Sequence, residues 1–229
     1  MSASPASARA IVGTCAVLAF DAVLLALGLG GAGALAREPR ALALLAIWGT
    51  SGFVLAMRRP VRGQDIATAQ PDPLPMLVLL VVPLVTPMLG AWAARRGWAV
   101  PPQALALSWA AIALVAAGQW LRIGAMLRLG PRFSPLVAVQ KEHALETTGP
   151  YARVRHPGYL GALLTCLGGA LAFGSLAALP LVALMLAAQL ARVRREERLL
   201  AERFGDEWRA YASRTGALLP RLRAVSPTA

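Results

Sequence analysis

From Leu160 to Ala191 the chain reads LGALLTCLGGALAFGSLAALPLVALMLAAQLA, 32 residues without a charge. As a single helix rising 1.5 Å per residue it would be about 48 Å long, well beyond a hydrocarbon core of about 30 Å. Phe173-Gly174-Ser175 stands near its middle, and Pro180 suits the first turns of a second helix, so the stretch also reads as a hairpin with short arms. The choice decides on which side of a membrane everything downstream lies.

Charge makes the choice. Upstream, Ala10–Ala36, interrupted by Asp21, reads as a first membrane helix, retained because it outruns a signal peptide and lacks an evident cleavage site. Ala41–Met57 and Leu74–Ala94 follow, the latter with Pro83 and Pro87, and a fourth starts near Gln103 and extends as an amphipathic segment towards Leu129. With a hairpin there are six spans and both termini share one side. Arg58, Arg59 and Arg62, the Arg122–Arg155 segment and the Arg-rich tail then face that side, against Arg37, Arg40, Arg95 and Arg96 on the other. A single helix would largely erase this bias. The expectation is an all-α polytopic membrane bundle of about six transmembrane helices, ending in a helical hairpin plus a cytosolic amphipathic C-terminal helix.

Composition agrees. Of 229 residues, 57% are hydrophobic and 15% charged, against about 25% charged in an ordinary soluble domain. The net charge is +12, and all but one of the basic residues are arginine, Lys141 being the exception. A basic soluble protein would point to nucleic acid, but these arginines flank apolar stretches and orient them, so no nucleic-acid partner is expected. Cys15 and Cys166 both lie in apolar runs, and His143 and His156 are the two histidines, so neither a disulfide framework nor a metal site is expected.

The hairpin brings its two polar flanks to one face. The first, 140–161, reads QKEHALETTGPYARVRHPGYLG. Gly149-Pro150 is a turn signal, and His156-Pro157 reads as an extended residue followed by a helix start, which puts His156 and Tyr159 at the hairpin's mouth. Arg153, Arg155 and Tyr159 read equally well as anchors at the headgroup level. The second flank, 192–211, reads RVRREERLLAERFGDEWRAY, with Arg192 and Glu196 one turn apart. A solvated amphipathic helix laced with ion pairs has this pattern. A glutamate beside the membrane on a basic face also balances a cationic ligand.

Together the two flanks resemble the isoprenylcysteine carboxyl methyltransferases and the related phospholipid methyltransferases. The resemblance rests on Gly149/Tyr151, Arg155-His156-Pro157-Gly158-Tyr159-Leu160-Gly161, Glu196-Glu197 with Leu200, Phe204-Gly205 with Trp208 and Tyr211, and the closing Leu218-Leu219-Pro220. It covers about Gly118 to Pro220. It implies an N-terminal set of helices over 1–117 and a methyltransferase-like part over 118–229, with a cofactor loop at 130–159, the hairpin at 157–191 and a helical segment at 192–220. It further implies methyl transfer from S-adenosylmethionine to a lipophilic or membrane-associated acceptor at the cytosolic face of a membrane, with membrane lipids as surroundings. The family's cofactor contacts fall on Gln140, His143, Ala144, Leu145, Glu146, Tyr151, His156, Pro157, Gly158, Tyr159 and Glu196, and its substrate arginine on Arg192. Arg192 and Glu196 are accordingly the expected catalytic pair. Glu146 departs from the aliphatic residue usual at its place.

The chemistry suits that implication. S-adenosylmethionine is a sulfonium cation, which aromatic Tyr151 and Tyr159 and the Glu196 carboxylate match. In-line methyl displacement needs no protein nucleophile, so positioning and desolvation dominate. A carboxylate acceptor would be held by Arg192, whereas an amine would need Glu196 or Glu197 as base. The acceptor stays open among carboxylates, amines and thiols, and the Ala- and Arg-rich composition points to a bacterial inner membrane. Two other readings stand beside this one. Membrane steroid and sterol reductases share a similar signature but carry R-H-P-N-Y with NADPH, whereas here Gly158 holds the asparagine's place. A non-catalytic membrane protein of the same fold is the other. Asp21, Trp48, Trp92, Trp98, Trp109 and Cys166 read as packing or interfacial residues, and Gly168 and Gly169 as sites of close helix approach.

Overall fold

The computed structural model describes residues 5–58, 66–70, 72–99, 104–130, 133, 137–140 and 145–221. The elements in order are α1 (Pro5–Leu29), α2 (Ala32–Arg37), α3 (Pro39–Arg58), β1 (Ile66–Gln70), α4 (Pro73–Arg95), α5 (Ala104–Leu129), β2 (Val137–Gln140), a 3-10 turn at Gly149–Ala152, α6 (Pro157–Leu171) and α7 (Leu179–Arg214). The chain is a helical membrane bundle with one short two-stranded ladder. Stretches within α1, α3, α4 and α5 are each long and apolar enough to cross a membrane, and large side chains such as Phe20, Leu27, Leu80 and Leu105 stand exposed along them. In lipid that outward exposure carries no hydrophobic cost.

The hairpin is present. α6 ends at Leu171, and α7 starts at Leu179 with Pro180 in its first turn. Phe173 and Ser175 are buried in the connection, and Gly174 turns the chain at φ 69°. The arms are short: α6 has 15 residues, and the apolar start of α7 is of similar length, roughly 20 Å each. Among the described residues four helices, not six, are both long and apolar enough to cross a membrane.

Three further differences from expectation have local causes. The first apolar run ends at Leu29, because Gly30 and Gly31 take φ of 97° and 134° and close the helix before α2 begins. α7 continues without a joint from the hairpin arm as far as a break at Gly205 and then runs on to Arg214, so the amphipathic segment is the outer part of that arm. β1 and β2 form an antiparallel ladder with Gln70 opposite Val137 and Ile66 opposite Gln140. That ladder ties the segment before α4 to the one after α5.

Two apolar clusters form the interior. One gathers Leu25, Leu44, Ile112, Val115 and Phe173, the other Val82, Cys166, Ala170, Val182 and Met185. α5 and α6 meet backbone to backbone: a Cβ on Gly118 would lie 2.6 Å from the Gly161 carbonyl oxygen, and one on Gly168 would lie 2.5 Å from that of Ala111. Gly168 thus permits close approach as expected. Gly169 does not need to be glycine for this purpose, since a Cβ there would stay 3.6 Å from Pro87.

Candidate active site at the mouth of the hairpin

The α5–α6 contact and the hairpin set α6 and α7 around a cavity of about 340 Å³, within the usual range for small-molecule sites. Its walls come from the start of α4 (Met76, Leu79, Leu80), the end of α5 (Arg122, Met126) and the mouth of α6 and α7. One side is therefore apolar and the other polar.

The polar side is built from the Arg155-His156-Pro157 corner. Pro157 occupies the first position of α6, so His156 is left outside the helix, at φ −122° and ψ 61° rather than in the extended backbone expected before a proline. The corner is locked to the tail after α7: Arg155 N–H donates to the Gly216 carbonyl at 2.8 Å and His156 N–H to that of Ala217 at 3.0 Å. His156 is 5% exposed. Its Nε2 stands 3.1 Å from Glu197 Oε1, which also accepts from Arg155 Nε at 2.7 Å. Arg155 in addition donates to the Ala212 carbonyl at 3.1 Å and lies over the Trp208 ring. Burial pushes the Glu197 carboxyl up, but the hydrogen bonds and charges of His156 and Arg155 outweigh it and hold the group at about 2. Glu197 is thus a fixed anion that organises the corner.

Along α7, Gln189, Arg192 and Glu196 share one face towards the cavity. Gln189 donates to the Tyr159 carbonyl at 3.0 Å, while its own buried amide oxygen has no hydrogen-bond partner among the described residues. Arg192 Nε donates to the Tyr159 hydroxyl at 3.1 Å, and its guanidinium pairs with Asp72 at 2.8 Å. Both members of that ion pair are almost fully buried, with side chains 4% and 1% exposed. Glu196 lines the cavity with a third of its side chain open, and its Oε2 stands 3.9 Å from His156 Nδ1.

Gly205 breaks α7 at φ 51°, ψ −117°, a conformation suited to glycine. The helix resumes at an altered angle, and Trp208 and Tyr211 return to the cavity wall, 5% and 3% exposed. The Tyr211 hydroxyl donates to the Tyr151 carbonyl at 2.7 Å, closing the far end of the loop. Burial pushes the Tyr211 phenol up to about 12, so it stays a neutral donor.

Of the residues singled out from the sequence, Leu145, Glu146, Tyr151, His156, Gly158, Tyr159, Arg192 and Glu196 all line the cavity. Pro157 does not; it is buried as the start of α6. Gln140 ends β2, which lies beside α7, whereas His143 and Ala144 fall outside the described residues. Glu146, unusual for its place, is engaged with Arg128 at 3.5 Å and accepts from the Thr148 backbone N–H at 3.1 Å. Sequence reasoning missed Asp72 and Gln189. Gln189 had a signal, a lone amide three residues before Arg192 in an apolar run. Asp72, between Pro71 and Pro73, looks like an ordinary turn residue, and nothing local ties it to a residue 120 positions away.

A bundle of membrane helices enclosing a polar pocket at one end, with apolar walls open to the helix flanks, defines the class: a polytopic membrane protein with an internal ligand site. Residues 107–207 match the model of the phospholipid methyltransferase family. The chain is 35% identical over 113 residues to the protein-S-isoprenylcysteine O-methyltransferase of Schizosaccharomyces pombe, covering 48% of each chain. To the Saccharomyces cerevisiae protein of the same name it is 36% identical over 110 residues, 47% of this chain and 46% of that one. It is also 41% identical over 87 residues, 38% and 40% of the two chains, to the cobalt-zinc-cadmium resistance protein CzcN of Cupriavidus metallidurans. The matches thus span about half the length of these relatives or less. The fold resembles a solved structure of the eukaryotic intramembrane Ras methyltransferase ICMT (isoprenylcysteine carboxyl methyltransferase), with a TM-score of 0.56 and 21% identity over 86% of this chain and 72% of that one.

Proposed function

We propose that the protein is an integral membrane methyltransferase that uses S-adenosylmethionine and acts on a lipid-like or lipid-modified small acceptor at the membrane face where the hairpin opens. The observation that carries this reading is the cavity itself, in which a polar wall carrying Tyr151, His156, Tyr159, Arg192 and Glu196 faces the apolar wall of α4. A water-soluble cofactor and an apolar acceptor need such a two-sided site. We place the chain in a bacterial inner membrane with both termini cytoplasmic, on the distribution of arginines.

The residues present fit the cofactor. The partnerless, buried Gln189 oxygen asks for a donor such as an ammonium or hydroxyl, and the partly open Glu196 carboxylate balances a cation. When bound, S-adenosylmethionine supplies an electrophilic methyl group on a sulfonium centre. Tyr151 and Tyr159 present aromatic and hydroxyl surface to it. Leu145, Glu146, His156 and Gly158 shape the pocket floor, Pro157 sets the corner behind them as the start of α6, and Gln140, His143 and Ala144 are assigned to the cofactor by the family resemblance.

Arg192 is assigned to the acceptor. Tyr159 and Asp72 fix its guanidinium at the pocket wall, so an acceptor carboxylate meets a preorganised donor. A carboxylate or thiolate needs no proton transfer. An amine does, and Glu196 is then the base, because Glu197 is held at about 2 by two donors. Met76, Leu79 and Leu80 offer the apolar chain of the acceptor a path from the bilayer.

Ligand-dependent thermal unfolding of the purified protein in detergent tests the reading. S-adenosylhomocysteine should raise the midpoint and NADPH should not. Protection by NADPH alone would move the chain to the reductase-like reading, and protection by neither would leave the scaffold reading.

A further inference from the structure

A second cavity, about 550 Å³, opens at the other end of the bundle. It is lined by Leu105 near the start of α5, whereas Arg122 on the same helix lines the first cavity. The intervening stretch is about 25 Å of helix, close to the thickness of a hydrocarbon core. The second cavity therefore lies at the opposite membrane interface and belongs to a different site.

Its lining is basic on one side and apolar on the other. Arg37, Arg40 and Arg95 face Glu38 as the lone lining carboxylate. Glu38 is committed to Arg40, accepting from Nε at 2.7 Å and from Nη2 at 3.0 Å, and these bonds hold its carboxyl below the ordinary range. Arg40 is further fixed over the Phe173 ring, 5.4 Å from its centroid, and by Ser108 at 3.5 Å. Arg37 and Arg95 are exposed at the rim. Among the described residues neither makes an ion pair.

Helix dipoles explain Arg37 and Arg95 in part, since both end their helices. They do not explain Arg40, which sits in the first turn of α3, at the positive end. The start of α5 adds a second positive helix end to the same cavity. The guanidiniums of Arg37 and Arg95, beside the Glu38-paired Arg40 and the start of α5, form a net-cationic anion site, and its walls of Leu29, Ala91, Leu105 and Phe173 are too apolar to serve a small soluble anion alone.

We propose that this cavity binds the phosphate group of an anionic phospholipid in the leaflet opposite the methyltransferase site. Arg40 forms the fixed floor, and Arg37 and Arg95 close on the headgroup from the rim. The cavity also accounts for arginines on the face where orientation by charge would disfavour them.

The test uses the delipidated full chain in detergent, followed by native mass spectrometry and thermal unfolding with dioleoylphosphatidylglycerol, dioleoylphosphatidylcholine or inorganic phosphate. Phosphatidylglycerol should be retained and raise the midpoint. The Arg37→Gln/Arg95→Gln variant, which touches two exposed and unpaired side chains, should weaken retention about tenfold or more. Arg96→Gln, whose side chain lies over Trp92 outside the cavity, should bind like the wild type. Equal retention of phosphatidylcholine, or undiminished retention by the double variant, would overturn the proposal. A full shift with inorganic phosphate alone would assign the cavity to a soluble anion and overturn the lipid.

Discussion

Asp72 occupies the N-cap position of α4, where an aspartate ordinarily accepts a hydrogen bond from its own helix. It makes no such bond. Its Oδ2 faces Arg192 across the cavity wall instead, and its Oδ1 has no partner among the described residues. Removing one member of a buried ion pair costs about 3–5 kcal/mol, whereas replacing both by apolar residues is often neutral. Asp72→Ala should therefore lower the thermal midpoint sharply. Asp72→Leu combined with Arg192→Met should recover most of it while methyl transfer stays lost, as measured by unfolding and turnover on the same preparations. Recovery of turnover along with stability would remove Arg192 from the acceptor site. Glu197 gives a second test at this scale. Its folded value of about 2 lies below the ordinary 4.5, so its stabilising effect is present above about pH 4.5 and is lost as pH falls towards 2. Glu197→Gln should lower the midpoint at neutral pH, and the gap to wild type should narrow steadily below pH 4.5. The contrast between the two acids shows what a sequence exposes. Glu197 was visible in a motif beside Glu196, as a possible base and not as the anion that fixes the corner, while Asp72 acquires its role from a long-range contact that leaves no local pattern.

At the scale of elements, the hairpin was the most legible feature, since length against bilayer thickness and arginine bias both pointed to it. Its turn falls where Phe173-Gly174-Ser175 suggested. The β1–β2 ladder was not legible, because strands of five and four residues carry too little alternation to stand out from loop. Nor was the break in α7. Phe204-Gly205 was visible as a motif, but the reason for the glycine appears only with the backbone at φ 51°. Gly205→Val should strain that turn by about 1–3 kcal/mol and release Trp208 and Tyr211 from the wall, detectable as increased quenching of tryptophan fluorescence and weaker protection by S-adenosylhomocysteine. On the other face of the site, Gly161→Leu should be worse. A Cβ there would already lie 2.5 Å from the Gly118 carbonyl oxygen, so α5 and α6 would have to separate and the folded protein should not be recovered from detergent.

As a whole molecule, the chain places a pocket with one polar and one apolar wall at one end of a bundle and an arginine-lined cavity at the other. The pocket's polar wall follows from the short hairpin: two arms that stop short of a full span bring Arg155-His156-Pro157 and Arg192–Glu196 to the same interface. Methyl transfer at this pocket is the proposed activity. It is tested most directly by incubating the purified protein with methyl-labelled S-adenosylmethionine and a total membrane extract, then following label into the lipid and small-molecule fractions. The account predicts that label enters a lipophilic fraction with the wild-type protein, and that His156→Ala and Glu196→Gln each reduce it by about a hundredfold or more while still being produced as folded protein. Undiminished labelling by both variants, or no labelled lipophilic product from an active wild-type preparation, would contradict it.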